Sequence, residues 1–239
     1  MAVALIYAQS GGGKTINSTL VEGGFLEVAR GEIVEHKAKG KNILLSSDNS
    51  SVSLNSFDRP NLDIEPVWNW LEKDKDGNQQ ENFNAVFGKV ASSGKYDTII
   101  VDNVTSVFNN AILEMDESGR FKDMRQAYQL IYNGLRRLSI KAAQAQVNVV
   151  FTAWHDTEEL VADDGKPYKR IQPKLPGKIL DDFTGMCNIV AYINSAEKEG
   201  KRIWYYKLEG KMDLYAKDQI YNRKSCMPED LFKKGNKTK

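Results

Sequence analysis

Cysteine and histidine are scarce in this chain. Its 239 residues include two cysteines, Cys187 and Cys226, and two histidines, His36 and His155. Two cysteines are too few for a disulfide framework or a cysteine-based metal site, and two histidines do not make a zinc site. This scarcity excludes the disulfide-rich secreted class and favours a reducing cytoplasm, where cysteines remain thiols.

The chain also lacks an excess of charge of one sign. Lysine and arginine together number 33, and aspartate and glutamate number 32, so the formal net charge is +1. Binding of nucleic acid through the overall field of a protein requires a strongly basic balance. Any basic surface on this protein must therefore be local.

Long hydrophobic runs are missing as well. A membrane-spanning helix needs about 20 apolar residues, and the apolar run in the opening MAVALIYAQS is far shorter and has no basic residues before it. We therefore expect a cytoplasmic protein with no signal peptide and no membrane partner. The length fits one large α/β domain, which we place at residues 1–232, followed by a basic, disordered tail at 233–239.

A phosphate-binding loop occupies residues 8–15. Its letters AQSGGGKT fit the pattern G-x-x-x-x-G-K-[ST], with Ala8 at the first position. Alanine is acceptable there because the position needs a small residue more than it needs a positive φ. The apolar run at 3–7 is typical of a buried parallel strand, so the loop lies between a strand and the start of a helix.

The composition of this loop indicates how it would hold a nucleotide. Backbone N–H groups around three consecutive glycines can turn inward around a phosphate, and the following helix adds its positive dipole end. Lys14 would reach the β- and γ-phosphates, and the Thr15 hydroxyl would bind Mg²⁺. The cofactors expected are ATP and Mg²⁺, and the residues expected to bind them are Ser10, Gly11, Gly12, Gly13, Lys14, Thr15 and Ile16.

Strand-like and helix-like segments alternate along the chain, which is typical of a mostly parallel sheet covered on both faces. The predicted strands are 2–7, 42–47, 97–102, 147–153, 188–194 and 202–208. The predicted helices are 14–20, about 24–38, 80–92, 105–115, 122–146 and 177–184. The polar connection 194–200 suits an antiparallel hairpin. The sequence thus predicts a three-layer α/β fold with a mostly parallel central sheet and a C-terminal antiparallel edge hairpin.

The longest predicted helix, 122–146, carries an apolar stripe at helical spacing. We expect this stripe to pack against the sheet, and its residues are Ala127, Leu130, Ile131, Leu135, Leu138 and Ala142.

Two aspartates at predicted strand ends are candidates for chemistry. Asp102 ends an apolar strand, at the edge where open α/β sheets bind ligands, and would hold Mg²⁺ together with Thr15; an aspartate there can also be a turn former. Asp48 follows strand 42–47 and is a candidate for orienting or deprotonating the attacking water. In the run DNSS, Asp48 is equally natural as a turn or cap residue.

The end of the strand at 147–153 offers a sensor for the γ-phosphate. Thr152 and His155 are the candidates, because a polar residue there can pass the presence of the phosphate on to the following loop. A lone histidine is also common at a surface or in a core.

These motifs together resemble RecA-like ATPases encoded by bacteriophages. The resemblance rests on the loop at 8–15, the strand 96–102, the strand end 151–155 and a C-terminal hairpin followed by Ala216-Lys217-Asp218. Such proteins are small AAA/RecA-type nucleotide-binding proteins, and some act as single-strand annealing recombinases. The resemblance implies a RecA-like P-loop NTPase fold, ATP hydrolysis to ADP and phosphate that is slow and partner-stimulated, a ring or filament of identical subunits, and often single-stranded DNA as partner.

The resemblance also implies roles for individual residues. Four residues would be catalytic. Lys14 would bind phosphate and Asp102 the metal, while Asp48 would be the water-activating carboxylate and His155 the sensor. Relatives have Ala-Lys-Asp-Arg near the C-terminus, where a basic residue reaches the neighbouring subunit's nucleotide. This chain has Gln219 in place of that arginine. Lys217 and Arg223 are the remaining trans-acting candidates, or else exposed charges on an edge strand.

RecA-like proteins bind single strands through two loops, which the resemblance places at 117–125 and 166–170. Both combine cations with an aromatic residue, as phosphate contact and base stacking require. The candidate residues are Arg120, Lys122, Arg125, Lys166, Tyr168, Lys169 and Arg170. The stretch 160–171 also fits a plain β-hairpin, because Asp163-Asp164-Gly165 is typical of a turn, and basic loop residues are often only solvated.

The function favoured is that of a phage-type ATPase in the host cytoplasm that couples ATP to single-stranded DNA binding in recombination or replication. One alternative is a nucleotide-dependent protein-assembly or chaperone-like switch without DNA, which the near-zero net charge fits. A P-loop kinase is the other. The connection 154–175 has Arg170 as its one arginine, so it is not the arginine-rich lid of a kinase.

Overall fold

The computed structural model describes residues 1–21, 24–29, 32–36, 40–74, 76–121 and 123–234. The strands are β1 (Val3–Ala8), β2 (Phe25–Ala29), β3 (Glu32–His36), β4 (Asn42–Ser46), β5 (Leu62–Pro66), β6 (Thr98–Asp102), β7 (Asn148–Val161), β8 (Pro167–Pro173), β9 (Ile189–Lys198), β10 (Lys201–Lys207), β11 (Lys217–Asp218) and β12 (Ser225–Cys226). The α-helices are α1 (Lys14–Ser18), α2 (Phe83–Ala91), α3 (Val104–Glu117), α4 (Met124–Gln144) and α5 (Gly177–Met186), with 3-10 helices at Asn49–Leu54 and Pro228–Asp230.

The strands form one sheet whose main path has the order β3-β2-β10-β9-β1-β7-β6-β4-β5. Neighbours from β9 to β5 are parallel, whereas those from β3 to β9 are antiparallel. The strand that carries the phosphate loop, β1, lies between β9 and β7. Because β7 separates β1 from β6, the loop and Asp102 approach each other across the end of an intervening strand.

Helices cover both faces of the sheet. On β1, Leu5 and Tyr7 face a core shared with α2, α3, α4 and α5, whereas Ala4 and Ile6 face a second core on the side of α1. Both faces of β1 are buried, which explains why this strand reads as a continuous apolar run and not as an alternating one. The chain therefore has a three-layer α/β fold with a mostly parallel central sheet.

The structure confirms the six predicted strands, each of which begins within one residue of its expected start. Two of them are longer than expected, because β7 continues to Val161 and β9 to Lys198. The helices predicted at 14–20, 80–92, 105–115, 122–146 and 177–184 are also present, as α1 to α5. The helix at the phosphate loop ends early, at Ser18.

The helix predicted at about 24–38 is wrong. Residues 25–29 and 32–36 form the antiparallel pair β2 and β3, and β2 continues the sheet by pairing with β10. The physical reason is tertiary: β10 offers an unpaired row of backbone N–H and C=O groups, which a strand can satisfy and a helix cannot. Residues 22, 23, 30, 31 and 37–39 lie outside the described ranges.

Two antiparallel hairpins were anticipated and both are present. β9 and β10 form the C-terminal hairpin, on the antiparallel side of the sheet. It does not lie at the edge as predicted, because β2 pairs with β10 and β3 pairs with β2. The stretch 160–171 belongs to the hairpin β7–β8, in which Val161 pairs with Pro167. The β-hairpin interpretation of that stretch is therefore confirmed.

The stripe on α4 is buried as expected at Ala127, Ile131, Leu135, Leu138 and Ala142. Leu130 was assigned to the same face, and this is wrong, since its side chain is 49% exposed. The buried residues recur at steps of three or four, and Leu130 stands one position, about 100°, off that line. Within the described ranges no helix combines the length and apolarity needed to cross a bilayer. Residues 235–239 of the expected tail lie outside those ranges.

Candidate nucleotide-binding site

The phosphate loop owes its shape to its three glycines. Gly11 and Gly13 have φ angles of 74° and 75°, in the left-handed region that favours glycine. Gly12 is required for space, because a Cβ built on it would lie 2.9 Å from the Ala8 Cβ and 2.9 Å from the Gln9 carbonyl oxygen. The crowding between positions 8 and 12 also explains why the first position of the loop holds a small residue.

Lys14 is folded back into this loop. Its Nζ donates to the carbonyl oxygens of Gln9 at 3.0 Å and of Ala8 at 3.4 Å. Burial lowers the pKa of Lys14, although the nearby Asp102 and Asp48 carboxylates act in the opposite direction. The ammonium is thus held at the loop by weak neutral acceptors, which an anionic phosphate can replace.

Asp102 is fully buried and accepts hydrogen bonds from three hydroxyl groups. Its Oδ2 accepts from Thr15 Oγ1 at 2.6 Å and from Ser50 Oγ at 2.7 Å, and its Oδ1 accepts from Thr152 Oγ1. Burial raises the pKa of Asp102, while these hydroxyls lower it. A buried carboxylate surrounded by hydroxyl groups matches the chemistry of a site for a hard divalent ion.

Asp48 has the cap role that was one of the two interpretations of its position. It is the N-cap of the 3-10 helix Asn49–Leu54, where its Oδ1 accepts from the Ser50 backbone N–H at 2.8 Å. Its Oδ2 accepts from Asn103 Nδ2 at 2.6 Å and from Ser106 Oγ at 3.1 Å. An ionised carboxylate has about four acceptor positions, so these three donors leave one acceptor position for a further donor.

A cavity of about 300 Å³ opens over these groups. The predicted residues that line it are Ser10, Gly11, Gly13, Lys14, Thr15, Ile16, Asp48 and Asp102. The other residues in its wall are Ser50, Ser53, Asn103 and Trp154. The structure therefore brings the phosphate loop and both aspartates to one cavity, of the size that small-molecule sites have.

Of the two sensor candidates, the structure places Thr152 in this cluster and His155 away from it. Thr152 is buried and donates to Asp102. The His155 ring instead stacks on Tyr192, with ring centroids 6.4 Å apart, and does not line the cavity. Successive strand residues point to opposite faces, and Thr152 shares its face with Ile6 across the β1–β7 register, whereas His155 lies on the other face.

Sequence reasoning missed five residues that position the two aspartates or line the cavity, among them Ser53 in the cavity wall. Ser50, Asn103 and Ser106 hold the carboxylates of Asp102 or Asp48, and Trp154 contributes to the cavity wall. The signal was present, because most of them follow a predicted strand end within a few residues. That signal is weak, since hydroxyl and amide residues at these places are also common helix caps, and Asn103 does cap α3.

The trans-acting candidates have different surroundings. The Arg223 guanidinium binds Asp218 Oδ2 at 2.6 Å and donates to the carbonyl oxygens of Asp230, Leu231 and Lys233, so its contacts are internal to the subunit. Lys217 is half-buried in β11, and burial lowers its pKa. It lines a cavity of about 470 Å³ together with Arg170 and Lys211.

The first predicted DNA loop joins α3 to α4. Arg120 donates to the carbonyl oxygens of Lys73 and Asp74 at 3.1 and 2.7 Å. Arg125 is exposed and paired with Asp123, the N-cap of α4. Lys122 lies outside the described residues.

The second predicted DNA loop is the end of the β7–β8 hairpin. Each of its cations faces a carboxylate, in the pairs Lys166–Asp164 at 2.9 Å, Lys169–Glu159 at 3.4 Å and Arg170–Glu158 at 3.0 Å. Tyr168 stands opposite Leu160 in the register. The hairpin is therefore locally neutralised, which weakens it as a surface for phosphates.

Comparison with known proteins identifies a family for the chain. A protein-family model described as an AAA domain matches residues 2–220. No curated protein matches the chain significantly. Among solved structures, the chain is similar to a KaiC-like protein from the hyperthermophilic archaeon Pyrococcus horikoshii OT3, with 13% identity, a TM-score of 0.45 and coverage of 86% of this chain and 76% of that one. It is also similar to the flagellar accessory protein FlaH from Methanocaldococcus jannaschii, with 12% identity, a TM-score of 0.45 and coverage of 94% and 83%.

Proposed function

Because this chain belongs to the AAA domain family, we propose that it binds ATP with Mg²⁺ in the cavity over the phosphate loop and hydrolyses it to ADP and phosphate. The observation that carries the proposal is the hydrogen bond of 2.6 Å between Thr15 and Asp102 beside Lys14. It supports a shared role for three side chains that the sequence pattern associates with phosphate and metal.

The oxygen atoms available as metal ligands at this site fit Mg²⁺. Asp102 and Thr15 would hold the ion, since a hard cation prefers carboxylate and hydroxyl oxygens, and Ser50 and Thr152 orient the carboxylate. When bound, Mg²⁺ neutralises charge that builds up on the phosphate oxygens. The raised pKa of Asp102 supports this assignment, because a buried carboxylate gains most from a cation placed beside it.

The chain's own residues supply the contacts to the phosphates and the group that activates the attacking water. Backbone N–H groups of the loop would bind phosphate oxygens, and Lys14 would exchange the Ala8 and Gln9 carbonyls for the β- and γ-phosphates. Asp48 is the candidate to orient the attacking water and accept its proton. Its carboxylate is fixed by Asn103, Ser106 and the Ser50 backbone, and the one acceptor position that remains supports this role.

We propose that Thr152, and not His155, reports the occupancy of the site. Thr152 contacts the carboxylate that would hold the metal, and it lies on β7, whose far end forms the β7–β8 hairpin. A change at Asp102 would therefore act directly on the strand that leads to the hairpin. His155 stacks on Tyr192 on the other face of that strand and would act only through it.

We further propose that ATP turnover serves single-stranded DNA handling in recombination or replication, in a phage-type homo-oligomer. The resemblance of the motifs along the chain supports this finer assignment. Lys217 is the better candidate for completing a neighbour's site, because the Arg223 guanidinium donates its hydrogen bonds to groups of its own subunit. Lys217 instead borders a cavity with two further cations, Arg170 and Lys211.

The test is the rate of phosphate release from ATP, measured with and without single-stranded oligonucleotide, with the assembly state followed on a sizing column. We expect slow release that the oligonucleotide accelerates and that Lys14→Ala abolishes. Release that depends on Lys14 but ignores DNA would favour a protein-assembly switch. Phosphate transfer to an added small acceptor, with no release to water, would favour a kinase.

A further inference from the structure

A second large concavity lies away from the phosphate loop. It has a volume of about 670 Å³ and shares no lining residue with the nucleotide cavity. One wall is the outer face of α4, at Leu130, Gly134 and Arg137. The opposite wall is formed by residues 70–73 and the start of α2. We call this concavity the α4 groove.

The α4 groove is basic. Lys73, Arg120, Arg137 and Lys141 line it, against one carboxylate, Glu72. Across the described ranges, none of these four cations forms an ion pair within 4.0 Å. Unpaired cations collected in a concave surface concentrate positive potential there, even though the whole chain is close to neutral.

Two of the cations are positioned by contacts with neutral groups. The Arg120 guanidinium donates to the Lys73 and Asp74 carbonyl oxygens, and the Lys141 ammonium approaches the Asn84 carbonyl oxygen at 3.4 Å. Backbone carbonyls fix the direction of these side chains without neutralising their charge. The α4 groove therefore holds oriented cations whose charge remains available to an anion.

The α4 groove and the β7–β8 hairpin, the two candidate surfaces for phosphates, differ in how their cations are paired with carboxylates. The hairpin cations Lys166, Lys169 and Arg170 each face a carboxylate at 2.9 to 3.4 Å. A phosphate that approaches the hairpin must compete with those carboxylates. In the α4 groove it meets four cations and one carboxylate.

Apolar surface accompanies the charge. Leu130 is 49% exposed at the groove, and Trp70 forms part of the wall. Gly134 lets the indole come this close, because a Cβ there would lie 2.3 Å from Trp70 Cζ2. Base rings gain from apolar contact while the backbone is held by cations. Leu130 supplies that contact, since Trp70 is 8% exposed and mainly shapes the wall.

We infer that the α4 groove is the binding site for the phosphate backbone of single-stranded nucleic acid. The inference rests on the function proposed above and gives that partner a place on the molecule. A cavity of about 670 Å³ is of small-molecule size, so it admits a few units of a flexible strand and not the face of a duplex. Arg120 belongs to the first predicted DNA loop, whereas Lys73, Arg137 and Lys141 were not anticipated.

The experiment measures binding of a fluorescent single-stranded thymidine oligonucleotide by anisotropy, with Mg²⁺ and a non-hydrolysable ATP analogue present, over a range of salt. The groove variant is Arg137→Ala with Lys141→Ala. Both sites are exposed on α4, and alanine is the best helix former, so folding is preserved. The matched control is Lys166→Ala with Lys169→Ala on the hairpin, which removes the same charge.

We expect the groove variant to bind the oligonucleotide about tenfold more weakly, with a salt slope about 1.4 smaller, because each lost single-strand phosphate contact removes about 0.7. The hairpin control should bind like the wild type, and nucleotide affinity should be unchanged in both variants. Wild-type affinity in the groove variant, with loss in the hairpin variant, would overturn the inference while leaving the proposed function intact.

A wild-type protein that binds no oligonucleotide even at low salt would reject the DNA part of the proposed function and the groove with it. An acidic polyglutamate peptide serves as a competitor in the same assay. Its displacement of the oligonucleotide at lower concentration than unlabelled thymidine strand would overturn the nucleic-acid assignment in favour of an acidic protein partner.

Discussion

Thr15 and Asp102 are 87 positions apart in the sequence, and a hydrogen bond of 2.6 Å joins Oγ1 of the first to Oδ2 of the second. Thr15 lies at the start of α1, just after β1, and Asp102 ends β6. The two side chains meet although β7 lies between β1 and β6, because both strands end at the same edge of the sheet. Thr152, at the end of β7, closes the gap by donating to the other carboxylate oxygen. The geometry of the site therefore depends on three strand ends and not on the phosphate loop alone.

Replacing Lys14 with alanine should remove nucleotide binding without harming the fold. Charge-assisted hydrogen bonds contribute about 1.5–3 kcal/mol each, so loss of the ammonium should weaken ATP binding about a hundredfold or more. The folded protein without nucleotide should be as stable as the wild type or more stable, since burial disfavours the charged lysine. Calorimetric titration with ATP and urea unfolding measure the two effects.

The control for that variant is Lys89→Ala, at an exposed lysine on α2 that is paired with Glu81. It removes the same charge far from the cavity and should leave ATP affinity unchanged. Tight ATP binding by the Lys14 variant would rule out the site.

Binding of Mg²⁺ should be sensitive to pH through Asp102. Burial raises the pKa of Asp102, so the folded protein holds this proton up to a higher pH than the unfolded chain does. The group therefore favours folding at low pH, and that contribution is lost as the pH rises through the folded pKa. Mg²⁺ competes with the same proton, so the gain in nucleotide affinity that Mg²⁺ provides should shrink on acidification, starting at a higher pH than for an ordinary aspartate.

The measurement is nucleotide affinity with and without Mg²⁺ at a series of pH values. Asp102→Asn keeps the shape of the side chain and cannot ionise, so Mg²⁺ should have little effect on its nucleotide affinity at any pH. An asparagine variant with the wild-type Mg²⁺ gain and pH profile would contradict the assignment of Asp102 to the metal.

Sequence patterns were sufficient for the elements of the central sheet because those elements are decided locally. An apolar run such as 98–102 has to be buried on both faces, and the phosphate loop has a specific spacing. The pair β2–β3 could not be found in this way, because the need for it comes from the open edge of β10, more than 160 positions away. Leu130 was misassigned for a different, local reason: it lies about 100° off the line of buried residues on α4.

The residues of the candidate site also fall into two groups: those that a local sequence pattern identifies and those that only their contacts identify. Lys14, Thr15 and Asp102 stand in patterns with defined spacing, so they could be named in advance. Ser50 and Thr152 are identified only by what they touch, since a serine in a turn or a threonine in a strand is otherwise ordinary. His155 follows the same apolar run, but it lies within β7 on the face opposite Thr152, where its ring stacks on Tyr192.

Gly134 should be indispensable on α4, whereas Gly185 on α5 should not. A Cβ at Gly134 would lie 2.3 Å from Trp70 Cζ2, but one at Gly185 has no heavy atom within 4 Å. Alanine gains about 1 kcal/mol over glycine in a helix, and overpacking costs about 1–3 kcal/mol. Urea unfolding should therefore show Gly134→Ala to be less stable than Gly185→Ala by about 2 kcal/mol. Equal stability of the two variants would mean that Trp70 does not pack against α4 at this position.

Arg223 should stabilise the C-terminal segment of its own subunit. Its guanidinium pairs with the buried Asp218 at 2.6 Å and donates to three backbone carbonyls between residues 230 and 233. Breaking a buried pair costs about 3–5 kcal/mol, and the lower end applies because Asp218 also accepts from the Tyr221 N–H. Lys224→Ala is the matched control, since its side chain is 83% exposed and its loss should change stability by about 0.5 kcal/mol or less. Urea unfolding separates this role from a trans-acting one, for which Arg223→Ala would keep wild-type stability and lose ATP hydrolysis only in the assembled protein.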